Sequence, residues 1–277
     1  KIISRLIEHS KKIKNKSAIL SFFPHPRQYF SNTYENFCIF DEEEKIKLLE
    51  NLNVDYYFSL KFDKLLAEYS AEDFVKIILY KKLNIKHLTV GYDFKFGKDR
   101  KGNLDLLKKL SSQYNFTISV VDQVSNNSSE IYSSSLVRKN IQEGNFEKVS
   151  SLLLRNWNMK GKVIKGDQRA RKINFPTANI KPGKLIRPKK GVYAIKVLFK
   201  EKYYTGIANF GERPTVAGNA LLLEVHLFDF DQDIYGKDLT VEFLTFIRDE
   251  KKFDNFDILT KQIQQDIEIA KKYHRVK

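Results

Sequence analysis

Gly161 to Asn179, GKVIKGDQRARKINFPTAN, puts a glycine turn, a cluster of cations and a hydroxyl–amide pair into one short stretch. Val163 and Ile164, flanked by Lys162 and Lys165, form a short alternating run that turns at Gly166-Asp167. Arg169, Arg171 and Lys172 follow, and the stretch closes on Phe175-Pro176-Thr177-Ala178-Asn179. Backbone N–H groups of a glycine turn and guanidinium forks both reach anionic oxygens, so this chemistry suits a polyphosphate. Thr177 and Asn179 add the hard oxygens that Mg²⁺ prefers. The same residues also read as a hairpin with a solvated basic turn, since charged turns are common.

Other polar groups stand where periodicity alone would not put them. In Leu221–Phe228 the period of two places Leu223, Val225 and Leu227 on one face, and Glu224 with His226 on the other. A carboxylate at mid-strand among leucines is a local contradiction of the kind that marks sites; an outward charge on a half-exposed strand is the alternative. In the first half, Pro24-His25-Pro26 follows the apolar run AILSFF, and Gly91-Tyr92-Asp93-Phe94-Lys95-Phe96-Gly97 follows a run ending at Val90. Ser133-Ser134-Ser135 opens a helical pattern with Arg138 one turn later, an arrangement that either holds phosphate or simply caps a helix. His25 likewise reads as a base or as a turn histidine held between prolines.

The elements that must carry these groups fall into two kinds. Up to about residue 155, helical patterns (Lys1–Lys12, Asp41–Asn51, Ala71–Leu83, Leu104–Tyr114) alternate with short strands (Ala18–Phe23, Tyr56–Leu60, His87–Tyr92, Thr117–Val121). Such alternation implies a parallel sheet with helical crossovers and a ligand crevice at the carboxyl ends of the strands, where the polar motifs lie. Asn140–Trp157 reads as a helix. After it come alternating strands at Gly191–Phe199, Tyr203–Asn209, Leu221–Phe228 and Leu239–Phe246, then an amphipathic helix at Phe253–Tyr273. That is an all-β unit, sandwich or small barrel, with a terminal helix. A boundary near 157 gives domains 1–157 and 158–277, with Trp157 and Met159 expected at the junction.

Composition sets the outer bounds. The chain has 277 residues, 42% of them hydrophobic, enough for two cores. Its net charge of +15 favours anionic partners, but the lysines are spread along the chain, which argues against a nucleic-acid face. The single Cys38 excludes an internal disulfide framework, fits a reducing compartment and is expected to be a buried small hydrophobe. No apolar run reaches the roughly 18–20 residues that span a bilayer. His9, His87, His226 and His274 lack zinc-ligand spacing and are expected to be structural or solvated.

The Gly161–Asn179 stretch resembles the riboflavin kinase signature, matching its Phe-Pro-Thr-Ala-Asn core in full. Ala170 and Asn174 stand where that signature has glycine; Asn tolerates positive φ, whereas Ala does so poorly. Phe22–Pro26, Gly91–Gly97 with Arg100 and Gly102, and Ser133–Arg138 resemble, in order and spacing, the FMN adenylyltransferase module of bacterial bifunctional riboflavin kinase/FAD synthetases. That family also carries F-D-G-x-H-x-G-H on its first strand-to-helix turn. Nothing here matches it, and Lys1-Ile2-Ile3 looks like the residues that directly follow it, so further residues are expected upstream; without them adenylyl transfer would be badly impaired.

The resemblance implies an N-terminal Rossmann-like nucleotidyltransferase domain and a C-terminal antiparallel β-barrel. In the barrel it implies Glu224 as the base for the riboflavin 5′-hydroxyl and ATP held by Gly161, Gly166, Arg171, Lys172, Pro176 and Thr177. Mg²⁺ would sit at Thr177 and Asn179, and the flavin or phosphate end at Asn209, Arg213 and Arg248. In the other domain His25, Asp93, Phe94, Phe96, Arg100, Ser133, Ser134 and Arg138 would hold the nucleotide and FMN. Riboflavin, FMN and ATP are then the partners, with no nucleic acid and no membrane, for a cytoplasmic monomer. Two rivals stay open: a kinase whose first domain is only a scaffold, and a basic nucleic-acid-binding protein.

Overall fold

The computed structural model describes residues 1–31, 36–125, 130–164, 175–215 and 218–276. They form two compact units, residues 1–132 and 133–277.

In the N-terminal unit α1 (Ile2–Lys12), β1 (Ala18–Phe23), α2 (Pro26–Phe30), α3 (Glu42–Asn51), β2 (Tyr56–Lys61), α4 (Lys64–Ala67) and α5 (Ala71–Asp73) follow in order. α5 runs on as a π-helical segment, Phe74–Lys82, before β3 (His87–Gly91), α6 (Leu104–Gln113) and β4 (Thr117–Val121). The strands pair in parallel as expected, but as two ladders, β1 with β2 and β3 with β4. Both ladders share one core: Leu20, Phe22, Leu60, Leu88 and Ile118 pack against Phe74, Val75, Ile78, Leu79 and Leu107. Phe74, Val75, Ile78 and Leu79 form the buried side of this segment. Side chains cap the helices where the sequence offers them: Asp41 Oδ1 accepts from Glu44 N at 2.7 Å and Asn103 Oδ1 from Leu106 N at 2.9 Å. Cys38 is only half-buried, its thiol donating to Gln28 Oε1 at 3.5 Å, because that amide already turns inward to cap α2.

In the C-terminal unit α7 (Ser134–Glu143) and α8 (Phe146–Leu153) precede β5 (Trp157–Ile164), β6 (Ala178–Ile180), β7 (Gly191–Phe199), β8 (Lys202–Thr215), β9 (Gly218–Leu227), β10 (Asp238–Arg248) and α9 (Phe256–Val276). The six strands close into an antiparallel barrel in the order β10-β5-β6-β9-β8-β7. Its interior holds Trp157, Met159, Ile195, Val197, Leu223, Val225, Val241 and Phe243, all essentially inaccessible. α9 lays Ile263, Ile267, Ala270 and Tyr273 on the outer face, over Val192, Ala194, Ile207 and Phe228.

Two expectations are corrected here. Asn140–Trp157 is not one helix: Gly144, at φ 81°, ends α7 in a left-handed turn, and Leu154 at φ 57° ends α8. Trp157 and Met159 lie on β5 inside the barrel rather than at a junction, because the alternation of that strand carries both inward. The compact units divide after Tyr132. α8 closes one end of the barrel: the Phe146 ring lies 5.0 Å from Phe243, 5.5 Å from Tyr193 and 5.8 Å from Trp157.

Two outcomes follow. Phe146→Ala should lower the unfolding free energy by about 3–5 kcal/mol, since it opens a cavity among aromatics, and denaturant melts would read the loss. In the other unit His9 stacks on His87 with ring centroids 3.5 Å apart, and burial, helped by the His9 ring, pulls His87 down to about 4 from its ordinary 6.5. Between those values the unfolded chain binds a proton that the folded chain does not, so stability present above pH 6.5 is lost on acidification towards 4. Urea midpoints measured across that range should fall in the wild type and flatten in His87→Gln.

Candidate active site

The barrel register draws the sequence candidates into one row. β6 pairs with β9 so that Asn179 faces Glu224, and β8 pairs with β9 so that Asn209 faces Glu224 from the other side. Directly paired residues project from the same face. Leu223 and Val225 fill the interior, so Asn179, Glu224 and Asn209 share the outer face. The row continues through Val192 on β7 to Arg248 on β10.

Glu224 is fixed by an arginine. Arg213 Nε and Nη2 both donate to its Oε2, at 2.8 and 2.6 Å. The same guanidinium donates through Nη1 to Glu250 Oε1 at 3.0 Å and to the Glu212 carbonyl at 2.8 Å. Burial works against the charge on Arg213, but the Glu224 and Glu250 carboxylates outweigh it and hold the guanidinium above its ordinary range. Asn209 Nδ2 donates to Glu250 Oε1 at 3.3 Å, leaving Asn209 Oδ1 a buried acceptor without a partner.

The Phe-Pro-Thr-Ala-Asn bend docks beside this row. His226 Nδ1 donates to the Pro176 carbonyl at 2.8 Å, and the Phe175 ring stands edge-on to the imidazole at 5.8 Å. Asn179 is buried and Thr177 half-buried, just after the bend. Gly161 lies where a Cβ would strike Ile180 Cγ2 and the Lys181 carbonyl, so it is needed for the close passage of β5 and β6. Gly166, Arg171 and Lys172, together with Ala170 and Asn174, lie outside the described residues.

Arg248 is engaged elsewhere. Its Nε donates to both oxygens of Asp266 at 3.0 Å, and Nη2 donates to Asp266 Oδ2 at 2.7 Å. Asp266 is 3% exposed, so this pair fastens α9 to the end of β10. Of the sequence neighbours of Arg248, Asp249 supplies only its carbonyl to it, and Glu250 turns to Arg213. Glu250 was invisible as a site residue in the sequence, because its link to Glu224 runs through an arginine 37 positions away.

The remaining candidates divide between the units. In the N-terminal unit His25 caps α2, its Nδ1 accepting from Arg27 N at 3.2 Å, at the carboxyl end of β1. Asp93 and Arg100 are exposed in the loop after β3. Phe94 stacks on Phe96 at 5.3 Å, and Phe96 is buried in the core, so it shapes the loop from beneath. In the C-terminal unit Ser133 caps α7, its Oγ accepting from Leu136 N at 3.1 Å, with Ser134 exposed in the first turn and Arg138 half-buried in the next.

Residues 1–135 match the FAD synthetase family and residues 153–274 the riboflavin kinase family. A bifunctional riboflavin kinase/FMN adenylyltransferase of Haemophilus influenzae is 37% identical over 98% of this chain and 88% of its own length. The chain belongs to the bifunctional riboflavin kinase/FMN adenylyltransferase family. The Escherichia coli K12 member is 36% identical over 98% of this chain and 87% of its own length. A crystal structure titled a macrolide-efflux protein from Streptococcus pneumoniae superposes with a TM-score of 0.86 at 28% identity, covering 98% of this chain and 88% of that one. Among the described residues of this family member, no helix is long and apolar enough to cross a membrane.

Removing one partner of a buried ion pair leaves the other charge uncompensated. Asp266→Ala should therefore cost about 3–5 kcal/mol and loosen α9, which hydrogen exchange along Phe256–Val276 would reveal.

Proposed function

We propose that the barrel unit phosphorylates riboflavin with Glu224 as base, and that the N-terminal unit joins AMP to FMN. The chain is an enzyme of flavin cofactor synthesis, a riboflavin kinase and FMN adenylyltransferase. What carries the assignment of roles is the ladder row: Glu224 stands between Asn179, next to the Pro-Thr bend, and Asn209, with its open acceptor.

On this reading ATP lies along the Gly161–Asn179 stretch, with Gly161 and Pro176 shaping the bend and Gly166, Arg171 and Lys172 meeting the phosphates. Thr177 and Asn179 fit Mg²⁺: both present uncharged hard oxygens, and Asn179 is held rigid on a paired strand beside a carboxylate. When bound, the ion would neutralise charge on the transferring phosphoryl group. Glu224 Oε2 is occupied by Arg213, which leaves Oε1 for the ribityl 5′-hydroxyl. As the hydroxyl oxygen bonds to the γ-phosphorus, its proton passes to Glu224 and the bond to ADP breaks. Asn209 orients the flavin side through Oδ1. Arg213 acts on the flavin only through Glu224, and Arg248 serves the site by holding α9. His25, Asp93, Phe94, Phe96, Arg100, Ser133, Ser134 and Arg138 serve adenylyl transfer, His25 and Asp93 from strand carboxyl ends where α/β folds bind nucleotides. The enzyme works as a cytoplasmic monomer.

Glu224→Gln should lower riboflavin turnover by about 10²–10⁴-fold while ATP still binds, because general-base assistance is lost and the nucleotide contacts are not. Chromatography after incubation with riboflavin, ATP and Mg²⁺ should show FMN and FAD from the wild type. FMN alone would leave the kinase standing and remove the adenylyltransferase. Near-normal FMN production by Glu224→Gln would take the base role away from Glu224.

A further inference from the structure

His226 lies on the site face of β9 but has no role in the chemistry assigned above. It stands two residues beyond Glu224, so the strand period puts both side chains on the outer face, opposite Leu223 and Val225. Its imidazole meets three groups. Nδ1 donates to the Pro176 carbonyl at 2.8 Å, the Phe175 ring stands edge-on at 5.8 Å and the Phe228 ring edge-on at 5.9 Å.

What the hydrogen bond does follows from how little else holds the bend. β6 has three residues, Ala178–Ile180. Its partners among the described residues are Val163 and Ile164 on β5, and Leu223, Glu224 and Val225 on β9. The pairing with β9 starts at Ala178, and Pro176 has no N–H with which to carry a ladder further. From Phe175 to Thr177 the chain therefore depends on side-chain contacts.

Two such contacts differ in kind. Phe175 packs against the cluster of Val192, Ala194, Ile207, Phe228, Ile267 and Ala270 that joins the barrel to α9. Apolar burial of this sort is non-directional, so it keeps the bend near the wall without setting its orientation. The bond from His226 is directional and aims the Pro176 carbonyl at β9. In a planar trans peptide the C=O and N–H point opposite ways, so the same bond fixes the direction of the Thr177 N–H and the start of the Thr177 side chain. Two residues of strand span about 6.6 Å, so the anchor and Glu224 keep a constant offset on one rigid element.

We propose that His226 is a positioning residue for phosphoryl transfer: its hydrogen bond to Pro176 holds the Phe-Pro-Thr bend in the conformation that receives the triphosphate of ATP, at a set distance from Glu224. This rests on the reading that ATP lies along the Gly161–Asn179 stretch. His226 acts through Pro176 and Thr177 and touches no reacting atom. A bend that leaves the wall part of the time binds nucleotide only in the docked fraction. Apparent affinity falls by that fraction, while the bound complex, in which the bend is docked, reacts as before.

The test is FMN formation by the full chain, with kcat and the KM values for MgATP and riboflavin measured separately, beside hydrogen exchange of the ligand-free protein. His226→Phe keeps a ring against Phe175 and Phe228 and removes the donor. Its KM for MgATP should rise about tenfold, the order that one hydrogen bond allows, while kcat and the riboflavin KM stay within about twofold. The amides of Ala178–Ile180 should exchange faster, and those of β8 should not. His226→Asn places an amide N–H about where Nδ1 stands and should bring the MgATP KM back to within about threefold of wild type. A wild-type MgATP KM in His226→Phe overturns the proposal. So does a fall in kcat at unchanged KM, the mark of a merely structural residue whose loss leaves less folded enzyme. A raised KM with unchanged exchange at Ala178–Ile180 overturns it too, because the bend would not have been loosened. His226→Asn behaving no better than His226→Phe has the same force, since the donor would then not be what matters. Failure of the underlying reading has a separate mark: Thr177→Val, which removes the hydroxyl and keeps the branched shape, would leave the MgATP KM at its wild-type value.

Discussion

The period of two along β9 is the constraint on which the barrel site depends. Leu223 and Val225 enter the closed interior, so Glu224 and His226 must leave it. A slip of one residue would bury a carboxylate and an imidazole and expose two core side chains. Because the sheet closes on itself, the neighbouring strands enforce the same parity. Asn179 and Asn209 then reach Glu224 by register alone, with no loop needed to bring them together. A site built this way inherits the rigidity of the core beneath it.

Two arginines on the same outer face show how burial and partner number separate structural from chemical use. Arg248 meets one carboxylate, Asp266, in a nearly dry pocket with bidentate geometry. The pair is closed, and its effect is to join the last strand to the last helix. Arg213 meets two carboxylates in a half-wet pocket, and neither owns it. Such a shared cation is poorly suited to fastening elements, since water screens it and its partners compete. It is well suited to keeping a carboxylate oriented.

Much of this was legible in the sequence where one physical signal dominated. Gly191–Phe199 and Ala18–Phe23 have clean strand patterns, and the structure keeps both ranges. The mid-strand Glu224 stood out because it broke an otherwise apolar alternation. What escaped was set by tertiary context. Helical spacing continues from Asn140 through the 150s, and only the left-handed geometry at Gly144 and Leu154 breaks it. Trp157 and Met159 alternate like any strand residues, but their destination depends on a barrel closed by residues some 80 positions later. The partners of Arg248 and Arg213 are likewise long-range. The geometry of β10 and α9 gives Arg248 to Asp266, 18 positions on.

The tie between His226 and Pro176 has a consequence of its own. A peptide oxygen offers no proton, so the imidazole must supply one through Nδ1, and it does so equally as the neutral tautomer or as the cation. Proline at 176 contributes no amide hydrogen that might compete for the ring. The fastening of the Phe-Pro bend to the barrel wall therefore runs one way, from a ring nitrogen on β9 to the peptide oxygen of an imino acid.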